Sequence, residues 1–301
     1  MNVAAHNSAG ILVCEPPDPA PRRPMFTLPP LACDCHAHIC GPAAGCEFDP
    51  KRLYTPTDCL LPQYQDMLRV LGVERAVLVQ PSFYAADNRV LLEALKVGGQ
   101  NFRGVAVVEP QVSDAELERL HRAGVRGVRV NVVDTREAKG VLPLAQSREL
   151  ALRVRPLRWH MEFLAHVHEF PDLDQMFENF PVDVVFSHLG YVPTEAGIDT
   201  PGFRALLNML KQRRAWVKLT GPYRISKGDF PFGDTTPFAA ALIEAAPDRI
   251  VWGTDWPHVK ASWSIPMPND GDLTDLLAQW VPAHLLRQVL VENPARLYGF
   301  P

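Results

Sequence analysis

Leu31-Ala32-Cys33-Asp34-Cys35-His36-Ala37-His38 is a short, largely apolar run that ends in two histidines one residue apart. Read as a buried strand, it sends alternate side chains to opposite faces, so His36 and His38 leave on one side and at one end. Cys35, between them, is expected to face away and serve packing. Seven more runs of this kind follow, at 75–80, 103–108, 126–132, 160–167, 183–189, 216–221 and 249–255. Each is rich in Val, Ile, Leu or Phe and bounded by turn residues, as strands buried on both faces of a parallel sheet should be. Helical signals separate them. Ser113-Asp114-Ala115-Glu116 reads as the capping box of a helix ending near Gly124, and Asp87 precedes a stripe through Val90, Leu91, Ala94 and Leu95. Thr236-Pro237 opens a helix running to Ala246, and Pro282 opens a last one reaching Val291. Eight strands alternating with helices predict an α/β fold, a (β/α)8 barrel of the TIM type. A doubly wound open sheet is the competing topology, but no GxGxxG or phosphate-binding loop follows the first strand.

Outside these runs the chain sets limits on function. Its 301 residues suffice for one large domain, expected over 31–301, with residues 1–30 as a leading arm. Residues 15–30 hold seven prolines and can be neither helix nor central strand. A surface-packed leader is expected there, and an arm crossing to a second subunit of a homo-oligomer is the alternative. A net charge of -4 argues against a nucleic-acid partner, although a local arginine cluster could still hold a small anion. No run approaches 18 apolar residues, so no membrane span is expected. The six cysteines all fall within the first fifth of the chain and form no CxxC pair, which reads as reduced thiols in a cytoplasmic protein.

An isolated His-x-His is as often a pair of core residues as a metal half-site. Three other strand ends change that balance. His166 and His168 close the fifth run, His188 the sixth and Asp255 the eighth. In a barrel all of these ends meet at one mouth, where chemistry is assembled from several strands. His166 is preferred over His168, which already reads as a loop residue. His258 is expected either behind the site, supporting the residues that act there, or at the rim, and His6, His121, His160 and His284 at the surface. Arg129 shares a strand face with Asn131, and an inward guanidinium is costly unless paired. An anionic substrate would pair it; a salt bridge to Glu109 or Asp134 is the structural alternative. Arg224, in Gly221-Pro222-Tyr223-Arg224, follows the seventh run and should also lie at the mouth, and Tyr54 could close over the site from the first loop.

The His-x-His, the two later histidines and the terminal aspartate resemble the amidohydrolase superfamily. CHAHICGP, FDPKRLYTP, VWGTDWPH and ENPARLYGF resemble its lactonase branch, which includes the 2-pyrone-4,6-dicarboxylate lactonases and the 4-sulfomuconolactone hydrolases. The resemblance spans roughly residues 31–300. It implies a barrel hydrolase that opens small anionic lactones in aromatic-compound catabolism. It places His36, His38, His188 and Asp255 at catalytic positions, and Arg129 and Arg224 where substrate carboxylates are held. Arg136, Tyr54 and Ser82 match further substrate-binding positions. The pyrone-dicarboxylate lactonases resemble metal-free members without a histidine on the fifth strand, whereas His166 and His168 make this chain look like the metal-dependent relatives.

Chemically, one divalent cation held by His36, His38, His166 and Asp255 would acidify a water, zinc being expected and manganese the alternative. Asp255 would take the water's proton and His188 would polarise the lactone carbonyl. Operation without metal stays open, because imidazoles could polarise the carbonyl alone. A metal-dependent decarboxylase acting on an aromatic or unsaturated carboxylate is the competing activity, and a non-catalytic metabolite-binding barrel the competing class.

Overall fold

The computed structural model describes residues 10–134, 140–261 and 264–301. Eight parallel strands form a single sheet in sequential order: β1 Cys33–Ala37, β2 Arg75–Val79, β3 Phe102–Ala106, β4 Val125–Asn131, β5 His160–Leu164, β6 Val184–Phe186, β7 Ala215–Leu219 and β8 Ile250–Trp252. Each lies within one of the eight apolar runs or begins one residue before it. The sheet closes on itself where Ala37 bridges Trp256 in parallel. Two backbone bonds make that seam, Asp255 N to His36 O at 2.8 Å and His38 N to Trp256 O at 2.8 Å. The barrel therefore closes through the very residues that bear the histidines and the aspartate.

Asp34 reinforces the seam from outside the lumen. It accepts hydrogen bonds from Thr254 N, Thr254 Oγ1, His36 N and Tyr64 OH. Burial pushes its carboxyl up to about 6 despite these donors. Gly253 must be glycine here, since a Cβ would come within 2.6 Å of His36 N.

Helices alternate with the strands: α1 Leu61–Leu71, α2 Arg89–Gly98, α3 Asp114–Arg122, α4 Leu144–Val154, α5 Leu173–Met176, α6 Pro201–Lys211, α7 Thr236–Ala245, α8 Asp270–Trp280 and α9 Asn293–Tyr298. Their apolar stripes and the outward strand residues make the main core. The inward valines Val77, Val79, Val105, Val185 and Val251 make a second, separate core inside the barrel. Phe300 plugs the floor between the guanidinium groups of Arg75 and Arg103, at 5.1 and 4.7 Å from its ring centroid.

Several expectations need correction. The helix expected from Pro282 to Val291 is a 3-10 turn at Ala283–Leu285 followed by a π-helical stretch at Gln288–Glu292, and it runs on into α9. Cys35 does not face away from the lumen. The pairing register shifts between Asp34 and Ala37, and this bulge puts Cys35 with Cys33 in the inner core beneath the histidines. Packing remains its role, and all six cysteines are free thiols.

The proline-rich arm lies along the start of α8. Arg22 N donates to Asn269 Oδ1 and Met25 N to Asp275 Oδ1, while Asn269 Nδ2 donates to Asp18 Oδ2. Further back, Leu12–Val13 pairs in parallel with Tyr54–Thr55. Among the described residues, no helix is long and apolar enough to cross a membrane.

Candidate active site

Three of the expected ligands meet. Ligand atoms of His36, His38 and Asp255 lie within 4.8 Å of one another, all buried. His36 and His38 rings stand edge to face at 5.0 Å. His38 Nδ1 donates to Val79 O at 2.7 Å, which leaves Nε2 as its free lone pair. His36 Nε2 and Asp255 Oδ1 lie 3.7 Å apart. Neither has a hydrogen-bond partner among the described residues. Two such orphans at one point are unusual in a folded protein and mark a place where something else binds.

The other oxygen of Asp255 is fully engaged. Oδ2 accepts from Tyr223 OH at 2.6 Å and from Arg224 Nε at 2.5 Å. Burial works to raise this carboxyl, but Arg224, His188 and His36 outweigh it and hold it well below the usual carboxylate range. His36 is drawn down to about 4 by burial and by the neighbouring Lys218, and burial likewise holds His38 and His188 well below 6.5. At neutral pH the site is an ionised carboxylate facing neutral imidazoles, the protonation states that metal ligands require. Gly221 adopts φ +54 beside them, and a Cβ there would meet Asp255 Oδ2 at 2.7 Å.

His188 packs edge-on against this group, its ring 5.0 Å from that of His36 and its Nδ1 2.7 Å from Thr220 Oγ1. His166 does not join the cluster. It falls after β5 ends at Leu164, with Nδ1 2.9 Å from Tyr191 O and its ring packed on Tyr191 at 4.5 Å. His168 sits in the following turn.

Arg129 points inward from β4 and is buried. Nη1 donates to Gln80 O at 2.9 Å, and Nε has no partner among the described residues. The expected alternative partner, Asp134, is taken by Lys260. Tyr54 is buried with its hydroxyl 3.4 Å from Ser82 Oγ, so these two substrate-binding candidates are together. Arg224 is committed to Asp255 through Nε, and its Nη2 reaches Val259 O. Arg136 lies outside the described residues, as does His6.

Several residues that shape the site were not singled out from the sequence. Lys218 on β7 is fully buried, pairs with Glu162 of β5 at 2.6 Å and donates to Cys35 O at 2.8 Å. Glu162 Oε1 is 3.4 Å from His36 Nδ1 and accepts from Ser187 Oγ. Their signal was available, since each is a charged residue in the middle of an apolar run, the same anomaly that singled out Arg129. Of the two places expected for His258, it takes the supporting one and not the rim. It is fully buried, bonding Tyr223 OH through Nδ1 at 3.0 Å and Asp270 through Nε2 at 3.0 Å, and so braces the tyrosine that holds Asp255. His160 is buried in the barrel floor, not at the surface.

Residues 33–300 match the model of the family described as Amidohydrolase. A 2-pyrone-4,6-dicarboxylate hydrolase of Comamonas testosteroni is 38% identical over 288 residues, covering 92% of this chain and 93% of that protein. A 4-sulfomuconolactone hydrolase of Rhizobium radiobacter is 35% identical over 298 residues, covering 97% of this chain and 98% of that protein. A crystal structure from Pseudomonas putida, described as a 2-pyrone-4,6-dicarboxylic acid hydrolase, superposes with a TM-score of 0.78 at 32% identity. It covers 91% of this chain and 99% of the other.

Proposed function

The chain belongs to the amidohydrolase family and is an enzyme, and we propose that it hydrolyses a small anionic lactone of the 2-pyrone-4,6-dicarboxylate or 4-sulfomuconolactone type in aromatic-compound catabolism. The observation that carries this reading is the pair of orphaned atoms, His36 Nε2 and Asp255 Oδ1, in a mouth that also holds the part-unpaired guanidinium of Arg129. A lactone presents what such a site can use, an ester carbonyl to polarise, a water to deprotonate and a carboxylate or sulfonate to grip.

Asp255 Oδ1 accepts the water's proton. Tyr223 and Arg224 hold Oδ2, so the free oxygen keeps one direction. His188, neutral and steadied by Thr220, donates toward the carbonyl oxygen as negative charge develops there. Arg129 holds an acidic group of the substrate with the nitrogens that Gln80 leaves free, with Tyr54 and Ser82 alongside.

The donor set fits one divalent cation held by His36, His38 and Asp255. Glu162 behind His36 Nδ1 forms the carboxylate–histidine arrangement that orients a ligand ring. Such a cation, zinc by its taste for imidazole and carboxylate or manganese in its place, would acidify water to a pKa of about 7. That help matters here, because a carboxylate held well below its usual range is a weak base toward water. Six free thiols support a cytoplasmic setting.

The test is turnover on matched lactones, with metal content measured on the same preparation. Base uptake with dicarboxylate or sulfonated lactones and none with a neutral lactone is the expected result. Carbon dioxide release without ring opening would replace hydrolysis by decarboxylation. Chelation should abolish turnover and added zinc restore it; full turnover after chelation would discard the cation and leave Asp255 and the imidazoles as the machinery.

A further inference from the structure

The opposite end of the barrel carries a cavity of about 540 Å3 that lactone chemistry does not use. It opens among the segments leading into β5, β6, β7 and β8, at the N-terminal ends of the strands, whereas His188 and Asp255 follow the C-terminal ends. Six arginines line it: Arg155, Arg158, Arg213, Arg214, Arg249 and Arg296. Two carboxylates answer them. Asp183 pairs with Arg249 at 3.1 Å, and Asp248 pairs with Arg213 at 3.0 Å and stands 3.9 Å from Arg296. Arg214 is occupied by neutral acceptors, Gln212 Oε1 and Asp174 O. Arg155 and Arg158 have no carboxylate partner among the described residues.

Six guanidinium groups against two carboxylates within ion-pair distance give the concavity an excess of positive charge, in a chain whose net charge is -4. Concave low-dielectric walls focus such a field onto an incoming anion. Buried polar atoms point the same way. His160, 2% exposed, lines the cavity, and Arg249 Nε is buried without a hydrogen-bond partner among the described residues. Trp216 supplies a flat wall, its ring stacked by Arg249 and Arg296 at 4.8 Å each. Arg158 and Arg213 also occupy left-handed backbone positions, φ 56 and φ 59, at turns where glycine is the unstrained choice. Arginine there places a guanidinium at the rim at the cost of strain.

We propose that this cavity binds a small polyanion carrying two or more carboxylate or phosphate groups, at a site separate from the catalytic mouth. Its volume is that of small-molecule pockets, about 300–1,000 Å3, and guanidinium forks match carboxylate and phosphate oxygens in bidentate fashion. The inference does not depend on which lactone the mouth accepts.

Calorimetric titration of the full chain tests it, with pyrophosphate as one probe and benzene-1,3,5-tricarboxylate as the other, in sodium chloride at about 0.15 M. The expected result is one site per chain with a Kd below about 1 mM for at least one probe. The stronger probe tells phosphate from carboxylate chemistry. Binding should persist in Arg129→Met, which disables the mouth, and weaken at least about tenfold in the double variant Arg155→Gln, Arg158→Asn. Both residues of that pair are exposed, and circular dichroism and Tm should match the parent. Binding by neither probe, undiminished binding in the double variant, or loss of binding in Arg129→Met would each overturn the proposal.

Discussion

Glu162 in the middle of the barrel and Asp255 at its mouth are both fully buried carboxylates, and both stand beside the same histidine, at 3.4 and 3.7 Å from opposite nitrogens of His36. Glu162 is matched to its surroundings, with Lys218 at 2.6 Å and Ser187 Oγ at 2.9 Å. Burial would raise its carboxyl, but Lys218 and His36 keep it well below the ordinary range. Asp255 is matched on one oxygen and left open on the other. The inner layer thus uses its charges to hold strands β1, β5 and β7 in register. The outer layer holds a charge in place and leaves one of its lone pairs available. Buried charge alone does not mark a site; what marks this one is an open carboxylate oxygen facing a second orphaned atom, His36 Nε2, 3.7 Å away.

The contrast breaks most visibly at Asp255. Asp255→Asn should keep the fold, because Oδ2 contacts survive in the amide oxygen, and lose about a hundredfold to ten-thousandfold in turnover. Near-parental turnover in a folded variant would deny it the role of base.

Next comes the inner layer. Lys218→Met leaves Glu162 buried and unpaired, which should cost about 3–5 kcal/mol in denaturant unfolding with Glu162 intact. Adding Glu162→Gln should return most of that loss. If Lys218→Met unfolds like the parent, the pair does not brace the barrel.

The floor offers a pH test of intermediate size. Burial holds His160 down to about 4, below its ordinary 6.5. As pH falls through that interval the unfolded chain binds the proton first. The stability His160 contributes is therefore present above about 6.5 and lost as pH falls toward 4, by about 3 kcal/mol in all. His160→Leu should flatten the fall of stability between those values, and an unchanged slope would mean that the ring is already paired.

The smallest effect is expected at His166. His166→Ala should leave metal content unchanged and turnover within about threefold, against the tenfold or more that loss of a metal-orienting contact brings. A parallel drop in bound metal would return His166 to the ligand set.

Much of this was legible along the chain. All eight strands coincide with the eight apolar runs, three of them starting one residue early, because a strand covered on both faces must be apolar nearly throughout. The addresses of His36, His38, His188 and Asp255 at strand ends followed from those runs. The fifth apolar run extends three residues past the end of β5 at Leu164, and His166 there bonds Tyr191 O and stays outside the cluster of His36, His38 and Asp255. Strict alternation also failed at Cys35, because a bulge has no one-residue signature. Arg224 read as a mouth residue, and nothing local says that its Nε binds Asp255.

The amino-acid sequence by itself determined the number and order of strands and which ends carry imidazole and carboxylate, since apolar runs and turn residues act locally. Tertiary structure decided which of those groups meet. The ring closes between β8 and β1 through groups as distant in sequence as Asp34 and Thr254, 220 residues apart. Hydrogen bonding discriminates over tenths of an ångström, a precision that is set by packing across the closed barrel and by no nearby stretch of chain.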